Sequence, residues 1–534
     1  MARKIKVADL LCGAGGSSEG AKRALDEMGL EMDLVCVNHW PTAINTHERN
    51  FPEARHYIQD ISTVRPHILV PEGYLDLLMA SPTCTHHSNA RGGKPTSDQQ
   101  RSDPWHIVTW LTELRVKRII IENVWEYISW GPVNMKTGKP IAARKGEYFH
   151  AWTETLRRLG FDLEWRRLNA ADFGDATTRQ RFILMGRSDG RKIHWPMPTH
   201  KKRDDLKADL FGAEKPWRPA REIIDWRIKG KSIFGRKKPL SWKSLDRLLS
   251  GMLRHKWPTV FVEMIVPEIE RSLAYSIREN MRRRHAGKKV DGQKVRGLVK
   301  AAIRRMRKLR TEPPSGQQTM KLPSPMIVTM RRNADGRSPE LPLPAILASG
   351  QHIALAEPFI LSQASGGAAR PVSDPIPAAP CGGAHALIAP YYGSGSGESC
   401  ISTEVPLPTL TAKARFGMVV PVTNGSGGAK ARDVNREPLP TMTTAKGGEF
   451  ALAEGTAGYD ILYRMLKWPE LAAAMGFSSE ESTYEFAGTA TEIIKQIGNA
   501  VSVAKMKACV GAIMADAAPK LKQPATPAYL EAAE

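Results

Sequence analysis

The sequence predicts an α/β protein: a mostly parallel sheet with helices on both faces, interrupted by a long insertion of different character. Three observations predict it. Short apolar runs alternate with helix-period segments to about residue 190, proline and basic residues become frequent from Lys201, and helix-like patterning returns after Tyr459. At 534 residues the chain exceeds what one compact core usually accommodates, so two or three domains are expected.

Taken in order, the strand candidates are Ile5–Leu11, Leu34–Val37, Leu75–Ala80, Arg118–Glu122 and Arg181–Met185. Each is a short, largely aliphatic run of the kind a strand buried on both faces needs. Between them, Ser18–Met28 and His106–Leu114 carry apolar residues at helical spacing. Ligands of such sheets collect at the carboxyl ends of the strands. The start, Met1-Ala2-Arg3-Lys4-Ile5-Lys6, is basic, but the apolar stretch behind it breaks at Asp9 and Gly13. It reads as a first strand and its turn, not as a signal peptide.

In the insertion, Arg271 to Arg310 holds Arg282-Arg283-Arg284, Lys288-Lys289, Arg304-Arg305 and Arg307-Lys308 against only Glu279 and Asp291. The apolar positions Ile277, Met281, Leu298, Val299, Ile303 and Met306 read as helices rather than as a disordered tail. A repeat follows. A Pro-[Leu/Ile]-Pro tripeptide recurs at Pro342–Pro344, Pro375–Pro377, Pro406–Pro408 and Pro438–Pro440, a period of about 32 residues. Apolar runs (Ala386-Leu387-Ile388, Met418-Val419-Val420, Phe450-Ala451-Leu452) and glycine turns (Gly366-Gly367, Gly393–Gly397, Gly425–Gly428) accompany it, as in a small β-rich array. Helix-like patterning resumes through Leu462–Met475 and Ala500–Met514. The expected divisions are 1–195, a basic, partly helical insertion over 196–320, the Pro/Gly-rich repeat over 321–455, a closing part of the first domain over 456–516, and a flexible tail over 517–534.

Composition narrows the function. Hydrophobic residues at 42% and charged residues at 25% exclude wholesale disorder. No apolar run approaches the ~20 residues that span a bilayer. Lys and Arg number 77 against 55 Asp and Glu, a formal net charge of +22, which favours a polyanionic partner. The six cysteines are too scattered for a disulfide framework and form no Cys-x-x-Cys pair, so no structural zinc site is expected and a reduced cytoplasm is the natural home.

Five motifs carry chemistry. Asp9-Leu10-Leu11-Cys12-Gly13-Ala14-Gly15-Gly16-Ser17-Ser18 ends a strand and opens a helix. Its glycines allow a tight turn and close ligand approach, but Ser18 stands where a dinucleotide fingerprint has its third glycine, which disfavours NAD or FAD. Ser81-Pro82-Thr83-Cys84-Thr85-His86-His87-Ser88 places a lone cysteine in a polar loop after a strand, a position suited to a nucleophile. Adjacent histidines such as His86-His87 rarely point to one ion. Arg118-Ile119-Ile120-Ile121-Glu122-Asn123-Val124 closes an apolar strand with a carboxyl that needs a purpose or a partner. Arg179-Gln180-Arg181-Phe182-Ile183-Leu184 puts two arginines on one strand face, and Gln496-Ile497-Gly498-Asn499-Ala500-Val501 is a turn opening a late helix.

Together and in this order the motifs resemble the DNA (cytosine-5)-methyltransferase family, over residues 5–190 and 459–515. The resemblance implies a Rossmann-like S-adenosylmethionine-dependent methyltransferase domain. A large inserted target-recognition region would hold the basic helices and the β-rich repeat. It also implies a cofactor site of Asp9, Gly13, Gly15, Gly16, His39, Trp40, Asp60, Ile61, Asn499 and Ala500, with Trp40 stacking on adenine and Asp60-Ile61 capping its amino group. No metal is implied. Two departures stand out. Thr83 precedes Cys84 where the family has proline, with Pro82 one residue earlier, and His39 fills the place of the acid that holds the cofactor ribose.

By the same resemblance, the Cys84 thiolate attacks cytosine C6, its pKa lowered by nearby arginines. Glu122, kept protonated by its apolar strand, donates to N3 and accepts from the amino group. Arg181 holds O2, and Arg179 supports the thiolate. The base must leave the stack, which a basic face gripping phosphates assists. The expected protein is a monomeric modification enzyme of restriction-modification or phage type, acting on double-stranded DNA in a bacterial cytoplasm or nucleoid, with no membrane. RNA methylation, transfer of a modified group, and a silent DNA-binding paralogue are the alternatives. Intact Cys84, Glu122 and Arg181 argue against the last.

The basic segment yields a first expected outcome. Replacing Arg282, Arg283, Arg304 and Arg305 with Gln should weaken binding to every DNA sequence and flatten the slope of log affinity against log salt by up to about 3–4 units. Site preference should survive, since phosphate contacts carry little sequence information. An unchanged slope would identify the segment as a solvated face.

Overall fold

The aliphatic runs Leu77–Ala80 and Ile119–Ile121 are wholly buried, and they become interior strands of a seven-stranded sheet. In the computed structural model the described residues are 4–82, 103–134, 139–202, 205–206, 214–254, 257, 259–285, 326–329, 336–346, 348, 353–360, 370–371, 417–421, 432–433, 450–454, 459–478 and 483–518. The strands are β1 (Lys4–Leu10), β2 (Glu31–Asn38), β3 (Arg55–Ile58), β4 (Leu77–Ala80), β5 (Arg118–Asn123), β6 (Asp162–Asn169) and β7 (Gln180–Arg187). Their order is β6-β7-β5-β4-β1-β2-β3. The five strands from β3 across to β5 are parallel; β7 runs antiparallel to both its neighbours, so β6 at the edge points the same way as the five. The chain steps outward from β1 to β3, then returns to β4 on the other side. That reversal opens a crevice at the carboxyl ends of β1 and β4.

Alternate residues of each strand face apart. Ala8, Leu10, Leu78, Ala80, Ile119, Ile121, Phe182 and Leu184 share a core with Trp110 of α3 (Asp103–Glu113) and Phe149 and Trp152 of α4 (Glu147–Arg158). This part also has α1 (Gly16–Glu27), α2 (Pro41–Asn50) and a single helical turn at Pro66–Leu69, besides short 3-10 turns. The second part contributes α5 (Trp242–Arg254) and α6 (Thr259–His285), and the chain returns through α7 (Trp468–Ala474), α8 (Ala490–Asn499) and α9 (Val503–Met514). The opposite strand face, which holds Asp9, Cys36 and Glu122, meets α1 and α9. Those helices pack closely because Gly20 has no side chain: a Cβ there would lie 2.8 Å from that of Met506.

Two compact units result. The first comprises 1–225, 339–352 and 466–534, the second 226–338 and 353–465. Residues 196–225, expected in the insertion, therefore belong to the first unit. In the second unit, β8 (Lys231–Ser232), β9 (Met326–Thr329), β10 (Gly336–Arg337), β11 (Ile353–Ile360) and β16 (Tyr459–Met465) form a sheet in the order β8-β16-β11-β9-β10, with β12 (Arg370–Pro371) on β11. Leu245, Leu248, Leu249 and Met252 of α5 and Phe261, Ile265 and Ile269 of α6 pack with Ala354, Ala356, Ile461 and Tyr463. A separate sheet is β14-β13-β15, made from Arg432–Asp433, Gly417–Pro421 and Phe450–Glu454.

Several expectations change here. Of Leu462–Met475, expected to be helix-like, Leu462–Met465 instead closes the strand Tyr459–Met465, because pairing along β11 overrides local preference, and the helix α7 starts only at Trp468. The run Leu75–Ala80 splits at Asp76, whose buried carboxylate accepts the Lys6 N–H at 3.1 Å, so that only Leu77–Ala80 joins the main sheet. Two of the repeat's apolar runs become the antiparallel pair β13 and β15. Ala386–Ile388 and the later Pro-x-Pro tripeptides lie outside the described residues, as do Arg304 and Arg305. Leu343, in the first tripeptide, joins the first unit, bridging to Thr177. The helix read from Ile277 and Met281 is there, as the end of α6, which runs to His285 with Arg278, Arg282, Arg283 and Met281 (59%) exposed; Leu298, Val299, Ile303 and Met306 lie outside the described residues. One stretch, Ala490–Ala517, has by length and an 18-residue window of mean hydropathy 1.2 the composition of a membrane span, although it is no uninterrupted apolar run. It consists of α8, α9 and a terminal turn, and 67% of that window is buried in the protein, as in a core helix.

One ion network closes the first unit. Arg118 and Arg187 are register partners on β5 and β7, each no more than 2% exposed, and both reach Asp516 beyond α9. Arg118 Nη2 donates to its two oxygens at 2.8 and 2.9 Å, and Arg187 Nη2 donates at 2.9 Å. Burial opposes charge on Asp516, but hydrogen bonds from Arg187 and Arg118 outweigh it and hold the carboxyl well below the usual range. Replacing Asp516 with Asn takes the carboxylate from buried Arg118, while Arg187 keeps Asp189. Urea unfolding at neutral pH should show a loss of about 2–3 kcal/mol.

Candidate active site

The chain leaves β1 through a strained turn. Leu11 takes φ +58°, unusual for a bulky residue, and Gly13 and Gly15 follow at +56° and +84°. The turn closes with Gly15 N–H donating to Cys12 O at 3.0 Å and delivers the chain to α1. Glycine is required where neighbours crowd it. A Cβ on Gly15 would sit 2.5 Å from Tyr484 Oη, and one on Gly16 would strike the Val501 carbonyl. Gly13 instead faces open space. Asp9 lies beneath, fully buried, accepting from the Ser17 and Ser18 hydroxyls at 2.5 and 2.6 Å. Burial pushes its carboxyl up to about 6, although both serines oppose the rise. Asp9 therefore shapes the turn from behind.

Beside the turn, β2 ends at Asn38, whose Oδ1 accepts the Trp40 N–H at 2.9 Å. His39 is exposed and Trp40 half-buried, with Lys495 Nζ 4.3 Å above the indole, so one ring face is already covered. Asp60 is exposed and Ile61 buried. The Asp60 carboxyl is held below its ordinary range by the Ser62 hydroxyl and N–H, with His39 and His106 adding to the effect. An open glycine turn, a part-exposed indole and an exposed carboxylate together suit an adenine nucleoside. Asn499 is exposed and Ala500 buried where α8 meets α9. Motif five is thus a helix–helix junction, set by a Thr489–Glu492 capping box at the start of α8.

The reactive side lies across the crevice. Glu122 stands next to the end of β5, and its register partner Ile183 is two residues from Arg181, so the two side chains share a face. Arg181 Nε stands 3.3 Å from Glu122 Oε1, an ion pair without hydrogen-bond geometry. The buried carboxyl thus has a cationic partner as well as its apolar strand. Arg179 is 2% exposed, and its Nη1 donates to the carbonyls of Ile346 (2.9 Å) and Gly498 (3.1 Å). Asn123 Nδ2 donates to Pro82 O at 3.1 Å, tying the Glu-Asn-Val strand to the start of the loop that carries Cys84. Thr83 and Cys84 themselves lie outside the described residues.

Three residues escaped the sequence reading. Tyr484 Oη donates to Ala14 O at 2.5 Å and roofs the turn. Asp175 accepts from the Ser502 hydroxyl, and burial pushes its carboxyl up to about 6. Lys505 is fully buried on α9, and no hydrogen-bond partner meets its Nζ among the described residues. Burial pushes its ammonium down to about 8, against the attraction of Glu122, while Arg181 and Arg179 add to the fall. A signal existed: Lys505 falls on the stripe of Met506, Cys509, Val510 and Ile513, whereas Lys507 falls off it.

Lys505 should cost the fold stability at neutral pH. Its folded pKa, about 8, lies below the ordinary 10.5, so the penalty is present below about pH 8 and disappears as pH rises through 10.5. Lys505→Met should therefore stabilise the protein by about 1–3 kcal/mol at pH 7 in urea unfolding. The gain should shrink toward zero between pH 8 and 10.5. A gain that does not vary with pH would show that packing, not charge, is responsible.

The chain matches the family model "C-5 cytosine-specific DNA methylase" over residues 5–335. It is 29% identical over 209 residues to the type II methyltransferase M1.HphI of Haemophilus parahaemolyticus, covering 38% of this chain and 51% of that protein. It is 29% identical over 202 residues to M.AgeI of Thalassovita gelatinovora, covering 37% and 42%. The chain thus spans about half the length of the curated relatives it matches. The solved S. pombe Dnmt2 methyltransferase aligns with 96% of this chain and 99% of its own, at 12% identity and a TM-score of 0.43. Since the family match extends over more than half of the 534 residues, the protein belongs to the C-5 cytosine-specific DNA methylase family.

Proposed function

We propose that the chain transfers a methyl group from S-adenosylmethionine to C5 of a flipped-out cytosine in double-stranded DNA. The observation that carries the reading is the convergence of Glu122, Arg181 and the Asn123-anchored start of the Cys84 loop at the carboxyl end of the sheet. Gly13, Trp40, Asp60, Ile61 and Asn499 would hold the cofactor, with Asp9, Gly15, Gly16 and Ala500 shaping the loops around it and His39 at their edge. When bound, the cofactor supplies an electrophilic methyl group.

The chain's own residues do the rest. The Cys84 thiolate adds to C6, which makes C5 nucleophilic. Glu122 gives a proton to N3 and accepts a hydrogen bond from the exocyclic amine, and Arg181 steadies O2 as charge grows there. Arg179, already bonded to two carbonyls, acts by holding the closing junction against β7. After alkylation, the C5 proton leaves and Cys84 is expelled, which restores the ring. A base in this position must first leave the duplex stack, and the +22 charge supports a grip on flanking phosphates.

Duplex DNA carrying 5-fluorocytosine at target positions should trap the protein covalently, because fluorine cannot leave as a proton does. Cys84→Ala should lose both adduct and methylation, while Cys509→Ala should still trap. Glu122→Gln should lower turnover by about 10²–10⁴-fold. An adduct formed by the Cys84→Ala protein would overturn the assignment.

A further inference from the structure

Behind the glycine turn, three ligand-type side chains that the methylation chemistry does not use converge in the buried interior. Cys12 belongs to the turn, Cys36 is the register partner of Asp9 on β2, and His47 comes from α2. Their ligand atoms all lie within 4.8 Å of one another, and none of the three residues is more than 5% exposed. We propose that Cys12, Cys36 and His47 bind a thiophilic d¹⁰ cation of the Zn²⁺ class.

The geometry is close to what such an ion needs. With Zn–S near 2.3 Å and Zn–N near 2.0 Å, tetrahedral ligation separates sulfur from nitrogen by about 3.5 Å. Cys36 Sγ stands 3.4 Å from His47 Nε2. The other ring nitrogen, Nδ1, lies 2.8 Å from His56 Nε2, an outer hydrogen bond of the sort that orients a metal-binding imidazole.

Charge agrees with geometry. Binding a dication expels one proton from each thiol to solvent, and the two thiolates cancel the ion, so no net charge enters the buried interior. Asp9 adds a favourable field: it is electrostatically coupled to both thiols, and its Oδ1 is buried without a hydrogen-bond partner among the described residues. Ser18 Oγ, 2.9 Å from His47 Nε2, lines the remaining side. An ion here would pin the strained Leu11–Gly13 turn to β2 and α2, which gives it a structural role. The site is independent of the methylation reading.

The test uses the full chain, purified without chelator from cells supplied with Zn²⁺ and analysed by elemental mass spectrometry. About one equivalent per chain is expected, falling at least about tenfold in the Cys12→Ser/Cys36→Ser double variant. Cys84→Ser and Cys509→Ser should both retain it. Since serine could disturb folding, a second measurement uses the reduced wild-type protein titrated with Cd²⁺. A sulfur-to-cadmium charge-transfer band should saturate near about one equivalent, with a rise in thermal unfolding temperature. Two results would overturn the proposal: wild-type protein that neither carries Zn²⁺ nor develops the Cd²⁺ band, or full metal retention in the double variant.

Discussion

Ionisable groups buried on one face of an otherwise aliphatic sheet govern the arrangement of the first unit. Asp9, Glu122, Asp175, Arg179 and Lys505 are all withdrawn from water, and a charge left there alone would be expensive. Each partnership ties distant parts of the chain. Asp9 is met by Ser17 and Ser18 of α1, Glu122 by Arg181 across the β5–β7 pair, and Asp175 by Ser502. Arg179 is satisfied by carbonyls at Ile346 and Gly498, from segments that return only after long excursions. The closing helices are therefore an integral part of the site. Without them, the arginine would lose the Gly498 carbonyl and the aspartate its serine.

Backbone contact does the same work at closer range. Gly16 lies against the Val501 carbonyl, Gly15 against Tyr484 and Gly20 against α9, so α1 and the returning helices meet where any side chain would hold them apart. Leu11 absorbs the resulting bend in a left-handed conformation. Strain of this kind persists only when the surroundings over-determine it. Here the roof of Tyr484 and the serine bonds to Asp9 supply that support. Lys505 fits the same pattern: a lysine carried at a stability cost beside Glu122 and Arg181 is what a site, rather than a core, tolerates.

Much was legible in the sequence, and for identifiable reasons. Aliphatic runs with no polar alternative must be buried strands, so β1, β2, β5 and β7 could be read directly. The glycine turn, the Glu-Asn-Val strand end and the paired arginines could be read because their chemistry depends on residue type and local spacing. Tyr459–Met465 could not, since its strand state comes from pairing with β11 across a long separation in sequence. Asp76 likewise divides its strand only because the Lys6 N–H reaches it.

By itself, the sequence determined the α/β class, the basic character and the residue types at the reactive end of the sheet, because periodicity and side-chain chemistry are local properties. The tertiary structure decided which of those residues meet. It turned Asp9 inward toward serines, set Arg181 against Glu122, covered one face of Trp40 with Lys495, and placed Lys505 below the site. It also gathered Cys12, Cys36 and His47, which share no motif and no spacing rule. Neighbouring parallel strands bring together residues that are far apart in the chain, and only sheet register says which ones: Asp9 stands opposite Cys36 because β1 and β2 pair in that register and no other.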